Sequence, residues 1–189
     1  MSDHLDAMRN FVNAMNQGSP HAIALKMETI SLDADGATLR VPYDEKLIGD
    51  PDTGVIAGGV VTALLDHACG QAVHTGLTEF KTIATLDLRI DYMRPAEPGK
   101  DIFAKAHCYK VTRSVAFVRA VAYDVDPSDP VAAAQAAFML DSSGGRGFGA
   151  NLKDRKPKCA IPSSPSTRCW RAFPTPGSSA CASSWPATK

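Results

Sequence analysis

The stretch Ile-Ala-Gly-Gly-Val-Val-Thr-Ala-Leu-Leu-Asp-His-Ala-Cys-Gly, residues 56–70, decides the fold of this chain. It is almost continuously apolar, it is opened by Gly58 and Gly59, and it carries one carboxylate, Asp66, near its middle. A helix that is apolar on most of its faces is normally a core helix. An ionised carboxylate inside such a helix is costly unless it is paired, hydrated or used in chemistry. The sequence therefore predicts a buried central helix that carries the candidate functional group.

The segments on both sides of this helix have the character of antiparallel strands. Residues 22–41 predict a hairpin around the turn 33–36, and a polar loop over 43–54 leads into the helix, which is expected to run to about Val73. Four further strand segments follow in close succession, the last being a strand or a buried apolar segment: 82–93, 101–111, 114–125 and 131–140. Because strands do not alternate with helices, we predict an α+β fold in which an antiparallel sheet wraps around one long central helix.

The segment 82–93 alternates between polar and apolar residues, as a half-buried strand does. The alternation predicts one face with Thr85, Asp87, Arg89 and Asp91, and an opposite face with Leu86, Leu88, Ile90 and Tyr92. On this interpretation Thr85 points away from the apolar side of the strand.

Composition divides the chain near residue 141. Residues 1–140 are interpreted as one domain that begins with an amphipathic helix over 3–16, with 18 acidic and 12 basic side chains. Residues 141–189 carry 2 acidic and 8 basic side chains, are rich in Ser, Pro, Gly and Arg, and have no sustained period. This C-terminal tail is interpreted as disordered, or alternatively as the product of a frame change near residue 141.

Charge and cysteine usage limit the possible partners. The formal net charge of zero gives no global argument for nucleic acid or a membrane surface as a partner. The N-terminus lacks the order of a signal peptide, and the longest apolar run, 55–65, is too short to span a bilayer. Cysteines 159, 169 and 181 fit no zinc pattern. We therefore expect a cytoplasmic protein with no metal, no cofactor, no nucleic-acid partner and no membrane partner.

The glycine pair at the helix start is the first candidate for chemistry. The first N–H groups of a helix have no internal partner and lie at the positive end of its dipole. Since Gly58 and Gly59 have no side chains, a ligand oxygen can approach those donors closely, which is the geometry that stabilises an oxyanion. The alternative is that the two glycines only let the helix pack tightly on the sheet.

Asp66 is the second candidate. It lies about two helical turns after the glycines, and Thr62 and Gly70 lie one turn before and after it on the same face. Such a carboxylate can act as a general base toward water or attack a carbonyl directly. The alternative is a core aspartate that is bonded to a neighbouring strand. His67 points about 100° away from Asp66 on an ideal helix, so these neighbours do not form a dyad by themselves.

Two segments together resemble a known family. Gly-Gly-Val-Val-Thr-Ala-Leu-Leu-Asp at 58–66, followed by Thr-Leu-Asp-Leu-Arg-Ile-Asp-Tyr-Met-Arg-Pro-Ala at 85–96, is similar to the hotdog-fold acyl-CoA thioesterases of the PaaI type. The likeness covers about residues 20–140, and its specificity comes from the combination of pieces. It implies a hotdog fold, an acyl-CoA substrate, no cofactor, and a homodimer or homotetramer with active sites between subunits.

The resemblance also implies roles for single residues. Asp66 matches the family's catalytic acid, and Gly58 and Gly59 match the backbone donor to the thioester oxygen. Thr85 matches a strand hydroxyl that helps to hold the attacking water and that usually comes from across the dimer interface.

Other matched positions concern the binding of substrate. Arg94 and Arg113 occupy positions where such proteins often place cations near the CoA phosphates, although each also fits an ordinary solvated arginine. Ala57 stands where the family normally has His, and Asp50 stands where it usually has Asn before Pro. Because Ala57 and Asp50 are expected close to the substrate carbonyl, we count them with Thr62 as candidate substrate-binding residues.

Three functions follow from these patterns. The leading hypothesis is a thioesterase that hydrolyses an acyl-CoA or a related acyl thioester. The second is a non-catalytic hotdog protein that binds CoA or acyl groups, which the loss of the imidazole at Ala57 favours. The third is a hydratase or dehydratase, which would need a loop histidine near an acid, whereas residues 49–52 supply only acids.

Overall fold

One long helix packs against a six-stranded antiparallel sheet, and this is the α+β architecture that the sequence predicts. The structure, a computed structural model, describes residues 12, 18–79 and 81–141. The predicted helix over 3–16 and the predicted tail over 141–189 lie outside the described residues, apart from one residue of each. These two predictions therefore stay predictions.

The elements follow one another as a short helix, a hairpin, a small ribbon, the long helix and four long strands. The helices are α1 (Pro20–Ala24) and α2 (Gly58–Thr75), with a 3-10 turn at Glu45–Leu47. The strands are β1 (Glu28–Asp33), β2 (Gly36–Val41), β3 (Ile48–Asp50), β4 (Val55–Ile56), β5 (Thr82–Tyr92), β6 (Ile102–Val111), β7 (Val115–Tyr123) and β8 (Ala132–Asp141).

The main sheet has the order β1-β2-β6-β7-β8-β5, and every neighbouring pair is antiparallel. β1 and β5 are its two edges, and β8 lies inside it between β7 and β5. The segment 131–140 is therefore a strand rather than a buried non-strand segment. β3 and β4 pair separately as a ribbon directly before α2, which brings the preceding loop to the start of the helix.

The long helix is buried because the sheet face beneath it is built from small side chains. The fully buried residues of α2 include Leu64, Leu65, Ala68, Cys69 and Ala72. The fully buried alanines of the strands include Ala104, Ala116, Ala122 and Ala132. Alanine has little intrinsic preference for strands, but its small side chain lets a leucine-bearing helix approach closely. No helix in the described part of the chain, α2 included, is both long and apolar enough to cross a bilayer.

The start of the predicted hairpin is wrong, because residues 20–24 form a helix and not a strand. The hydroxyl of Ser19 accepts a hydrogen bond from the amide of Ala22 at 3.3 Å, and Pro20 occupies the start of the helix. Proline suits the first helical position because it lacks an N–H and has a fixed φ. The strand begins at Glu28, and the turn lies at 33–36 as predicted.

The predicted division of β5 into two faces is correct for residues 87–92 but wrong at Thr85, because the alternation is interrupted there. Thr85 lies opposite Phe138 and Asp87 lies opposite Ala137, so that Leu86 is an extra residue in a β-bulge. A bulge of one residue moves every side chain on one side of it to the other face relative to a regular strand.

The bulge places Thr85 on the same face as Leu88 and Tyr92, toward α2. Two contacts show this face: the Thr85 hydroxyl bonds to Asp66 and the Tyr92 hydroxyl bonds to Gly58. Leu86 is left 55% exposed at the sheet edge. The hydroxyl of Thr85, a candidate site residue, is thus directed at the central helix by an irregularity that the alternating sequence does not reveal.

We expect Leu64→Ala to lower the free energy of unfolding by about 3 kcal/mol, because it leaves a cavity between α2 and the sheet. Leu64 is 0% exposed. The matched control is Val125→Ala, at a valine that is 62% exposed just after β7, with an expected change below about 0.5 kcal/mol. Urea unfolding of both variants measures the difference, and equal losses would contradict this description of the core.

Candidate active site

Asp66 lies in the wall of an open cavity of about 360 Å³. The residue is half-buried, and it shares the wall with the following residues of α1, α2 and the neighbouring segments: Ser19, His21, Ala22, Met27, Gly59, Thr62, Ala63, His67 and Leu88. The carboxylate is therefore not sealed inside the core. It can meet a molecule that enters the cavity.

The Thr85 hydroxyl donates a hydrogen bond to Oδ1 of Asp66 at 2.9 Å. The sequence left two interpretations of Asp66 open, a reactive carboxylate and a core aspartate bonded to a neighbouring strand. Asp66 is bonded to the strand β5, and it also faces a cavity. The resemblance implied a hydroxyl from a second subunit, but here the same chain supplies it, because the bulge in β5 turns Thr85 toward α2. A hydroxyl that donates to one carboxylate oxygen still has lone pairs free to accept a hydrogen bond from water.

The two glycines at the start of α2 have different surroundings. Gly59 lines the cavity that contains Asp66, whereas Gly58 lines a second cavity. In the described part of the chain neither amide N–H has a hydrogen-bond partner, and Ala57 offers no side-chain cap. A Cβ on Gly59 would meet nothing within 4 Å, and one on Gly58 would be 3.5 Å from the Tyr92 hydroxyl. Tight packing on the sheet therefore does not explain either glycine.

The carbonyl oxygen of Gly58 is held by two hydroxyl groups. Tyr92 Oη lies 2.7 Å from it and Thr62 Oγ1 lies 3.1 Å from it, and the two hydroxyl oxygens are 2.8 Å apart. Thr62 is thus at the predicted place beside Asp66, where it also lines the same cavity. Sequence reasoning missed Tyr92, because nothing distinguishes it from any aromatic residue at the end of a strand.

The second cavity measures about 380 Å³ and lies beside Gly58. Its wall is mainly apolar and includes Val55, Ile56, Gly58, Val61, Tyr92, Met93, Arg94, Pro95, Ala96 and Val131. Since Tyr92 lines this cavity and Thr62 lines the one with Asp66, the contact between their hydroxyls lies where the two cavities approach each other.

Ala57 and Asp50 are both near the start of α2. The side chain of Ala57 has no polar group and caps nothing, whereas that of Asp50 is a carboxylate. A Cβ on Gly49 would lie 2.7 Å from Cα of Ala57, so the loop backbone is in direct contact with the helix start. The Asp50 carboxylate accepts hydrogen bonds from the amide of Asp52 at 3.1 Å and the hydroxyl of Thr53 at 2.7 Å. These bonds lower the pKa of Asp50, and they use its carboxylate to stabilise its own turn.

Arg94 is paired within the chain and is not a free cation. Its guanidinium forms two bonds with the fully buried carboxylate of Asp124, at 2.8 and 2.6 Å, and a third to the carbonyl oxygen of Asp129 at 2.7 Å. The hydrogen bonds from Arg94 hold the pKa of Asp124 well below its usual range. The sequence left two interpretations of Arg94 open, a cation near the CoA phosphates and a solvated arginine. The structure shows a third arrangement, an ion pair with buried Asp124.

Arg113 lies far from the other candidate residues within one chain. It is exposed in the turn between β6 and β7. Gly76, directly after α2, packs against Val111 at the end of β6, so Arg113 lies at the C-terminal end of the helix. With 18 residues in α2, the distance from there to Gly58 is about 27 Å along the helix axis.

Two histidines lie in the wall of the Asp66 cavity, His67 on α2 and His21 on α1. Burial lowers the pKa of His67, and the nearby charge of Asp66 opposes this effect only in part. No pattern in the sequence predicts His21 here, because it lies between the two elements predicted over residues 3–16 and 22–41, and α1 was not predicted. Within residues 12, 18–79 and 81–141, no cluster of three His, Cys, Asp or Glu side chains is suited to holding a metal ion.

Comparison with known proteins identifies related sequences and folds. The thioesterase superfamily matches residues 53–131 of this chain. A relative from Halobacterium salinarum, provisionally named an esterase, is 39% identical over 80 residues, which are 41% of this chain and 52% of the relative. The chain thus spans about half the length of this curated relative.

Solved structures extend the likeness over most of the described domain. A protein from Pseudomonas aeruginosa is 43% identical, with 72% of this chain and 98% of that chain covered and a TM-score of 0.63. The phenylacetic acid degradation protein PaaI of E. coli is 18% identical, with 72% and 95% covered and a TM-score of 0.64. At that identity PaaI bears on the fold alone, and the predicted hotdog fold is confirmed.

We expect Asp124→Asn to lower the free energy of unfolding by about 3 kcal/mol at pH 7, because it leaves the Arg94 guanidinium without its buried counter-charge. The pKa of Asp124 is depressed in the folded state, so its stabilising effect is complete above the ordinary carboxyl pKa of about 4 and declines as the pH falls. Unfolding measured between pH 7 and pH 3 should show the wild type and the variant converging. A constant difference over that range would contradict the assignment.

Proposed function

Because the chain belongs to the thioesterase superfamily, we propose that it hydrolyses a thioester in the cavity that Asp66 and Gly59 share. The observation that carries this proposal is that one cavity wall contains both a carboxylate, which can act as a base or nucleophile, and a backbone N–H, which can donate a hydrogen bond. The same cavity is lined by Asp66, whose carboxylate is held by the Thr85 hydroxyl, and by Gly59, whose backbone N–H has no partner in the described part of the chain. Hydrolysis of a carbonyl compound requires both a base or nucleophile and a donor for the developing negative charge.

Asp66 activates the attack in one of two ways. As a general base it takes a proton from water while the water oxygen bonds to the thioester carbon, and it later returns the proton to the departing thiolate. As a nucleophile its carboxylate oxygen bonds to that carbon, the thiolate leaves, and water then cleaves the resulting anhydride. In both routes Thr85 keeps Oδ1 occupied and so leaves Oδ2 of Asp66 directed to the reaction.

The amide of Gly59 is the proposed donor to the thioester oxygen, in preference to the amide of Gly58. Gly59 shares the cavity with Asp66, whereas Gly58 lines the neighbouring one. The absence of neighbours within 4 Å of the Cβ position at Gly59 supports the approach of a substrate oxygen to that amide. The dipole of an 18-residue helix adds to the attraction for negative charge at this end.

We propose a CoA thioester as the substrate and a homodimer or homotetramer as the assembly, in keeping with the resemblance. β5 is an edge strand with open backbone groups and an exposed Leu86, which pairing with a second copy would cover. Since Arg94 is engaged with Asp124, Arg113 stays the candidate cation for CoA phosphates, supplied by another copy because it lies far from Gly58 in its own. The cytoplasmic location stays a prediction.

The alternative function, a protein that binds CoA or acyl groups without cleaving them, is favoured by Ala57. This alanine lies at the cap of α2 and offers no side-chain group to the site. Titration with CoA and with acyl-CoAs distinguishes the two functions. Binding without release of free thiol across short, aromatic and long acyl chains would support the alternative and overturn the thioesterase.

We expect Asp66→Asn to lower kcat for thiol release by at least about 100-fold, because the amide is neither a base nor a nucleophile at the carbonyl. Thiol release from a panel of acyl-CoAs measures the loss. The matched control is Asp35→Asn, which removes an exposed carboxylate in the turn between β1 and β2 and should leave the rate within about twofold. Wild-type rates in the Asp66 variant would exclude this residue as the base.

The role of the Gly59 amide is tested by comparing Gly59→Pro with Gly59→Ala. Proline removes the N–H at a position in the first helical turn, where proline is tolerated, and alanine adds a similar carbon while keeping the donor. We expect kcat of the proline variant to be about 100-fold below that of the alanine variant, which is the usual loss for one oxyanion donor. Circular dichroism checks that both remain folded, and equal rates would show that another group binds the oxyanion.

A further inference from the structure

The three oxygen atoms of Tyr92 Oη, Thr62 Oγ1 and the Gly58 carbonyl form a closed triangle with sides of 2.7, 2.8 and 3.1 Å. Two hydroxyl protons are available for its three sides. The side between the two hydroxyls can use only one proton, so at least one proton is available to bond to the carbonyl. These hydroxyl bonds add to the main-chain bond of the helix, which the Gly58 carbonyl accepts from the N–H of Thr62 four residues later.

The first turn of α2 needs such a restraint more than most helix starts do. It begins with two consecutive glycines, which have the greatest backbone freedom of any residue. Ala57 provides no side-chain cap, and both glycines are exposed. A first turn of this composition would fray without a contact from outside the helix. Tyr92, from the edge strand β5, supplies that contact.

The restraint acts directly on the proposed oxyanion donor. The carbonyl of Gly58 and the N–H of Gly59 belong to one planar peptide group, so fixing one end fixes the direction of the other. Hydrogen bonds accepted by the carbonyl also polarise the peptide and strengthen its N–H as a donor. Gly59 lines the cavity that contains Asp66.

Packing alone does not account for the tyrosine. Tyr92 is 51% exposed, and its hydroxyl bonds are made to Gly58 and Thr62. The bulge at Leu86 is what allows Thr85 and Tyr92, seven residues apart, to face the same helix. Two hydroxyls of β5 thus bond to α2. Thr85 contacts the Asp66 carboxylate, and Tyr92 contacts the peptide group that carries the Gly59 amide.

We infer that Tyr92 and Thr62 are positioning residues that hold the Gly58–Gly59 peptide so that the Gly59 N–H points at the thioester oxygen. The inference rests on the proposed function, since it assigns these hydroxyls to the oxyanion donor of that reaction. It concerns orientation of the donor and not contact with the substrate. Its effect therefore belongs to kcat rather than to KM.

The test is a double-mutant cycle with Tyr92→Phe and Thr62→Val, both of which remove a hydroxyl and keep the shape of the side chain. Each single variant retains one hydroxyl for the carbonyl, so its kcat should fall by no more than about fivefold. The kcat of the double variant should fall by about 100-fold, as when an oxyanion donor is removed. A loss in the double variant larger than the product of the single losses is the expected result. KM should change less than about threefold.

Matched controls exist for both positions. Tyr109→Phe removes a hydroxyl from a partly exposed tyrosine of β6, and Thr75→Val removes a hydroxyl that bonds to the carbonyl of Ala72 at the other end of α2. The double control variant should leave kcat and KM within about twofold. Losses in the control equal to those in the Tyr92 and Thr62 pair would overturn the inference.

A measurement without substrate separates this inference from the proposed function. Selective ¹⁵N-glycine labelling gives the backbone order parameter of Gly59, whose signal is identified by its absence in Gly59→Ala. We expect about 0.85 in the wild type and below about 0.6 in the double variant. An unchanged order parameter, or strictly additive losses in kcat, would overturn the positioning role. A fall in the order parameter of a protein that cleaves no thioester would uphold the positioning and overturn the proposed function.

Discussion

The close approach of α2 to an alanine-lined sheet is the constraint on which the rest of the structure depends. Buried alanines such as Ala104, Ala116 and Ala132 leave room for Leu64 and Leu65, so most of the helix circumference is covered by the sheet. The remaining strip of the helix carries Gly59, Thr62 and Asp66 and is bordered by the edge strand β5. A carboxylate can therefore be kept on a core helix because the strip on which it lies is open.

β5 is the element that gives this open strip its chemistry. It is an edge strand of the sheet that the structure describes, and two of its side chains toward α2 make polar contacts, while its apolar side chains on that face, Ile83, Leu88 and Ile90, pack against the core. Thr85 bonds to the carboxylate of Asp66, and Tyr92 bonds to the carbonyl of Gly58. The strand thus restrains a side chain at the middle of the helix and the main chain at its start.

The sequence predicted the parts that depend on local patterns. The apolar run with its glycine pair predicted α2, and the runs of strand-forming residues after it predicted β5 to β8. Asp66, Gly58 and Gly59 could be named as candidates because a charge in an apolar helix and a helix start without side chains are visible in the sequence itself. The resemblance added Thr85, and the structure places its hydroxyl 2.9 Å from Asp66.

The remaining features depend on partners that are distant in the chain. Arg94 pairs with Asp124, 30 residues later, and no local pattern distinguishes such an arginine from a solvated one. Tyr92 reaches Gly58 over 34 residues. The bulge at Leu86 is set by the register with β8, and α1 is set by the cap at Ser19, which a run of apolar residues concealed.

The seven-residue interval between Thr85 and Tyr92 has a consequence for how homologous sequences are aligned. In a regular strand an odd interval sends two side chains to opposite faces, so an odd interval between two helix-facing residues requires one bulged residue, and an even interval forbids it. The parity of this spacing is therefore a diagnostic of backbone geometry that can be scored from sequence alone. If an alignment places a one-residue gap within this strand, the aligned residues on one side of the gap lie on opposite faces of the strand in the two proteins. This holds even where the residue types are identical.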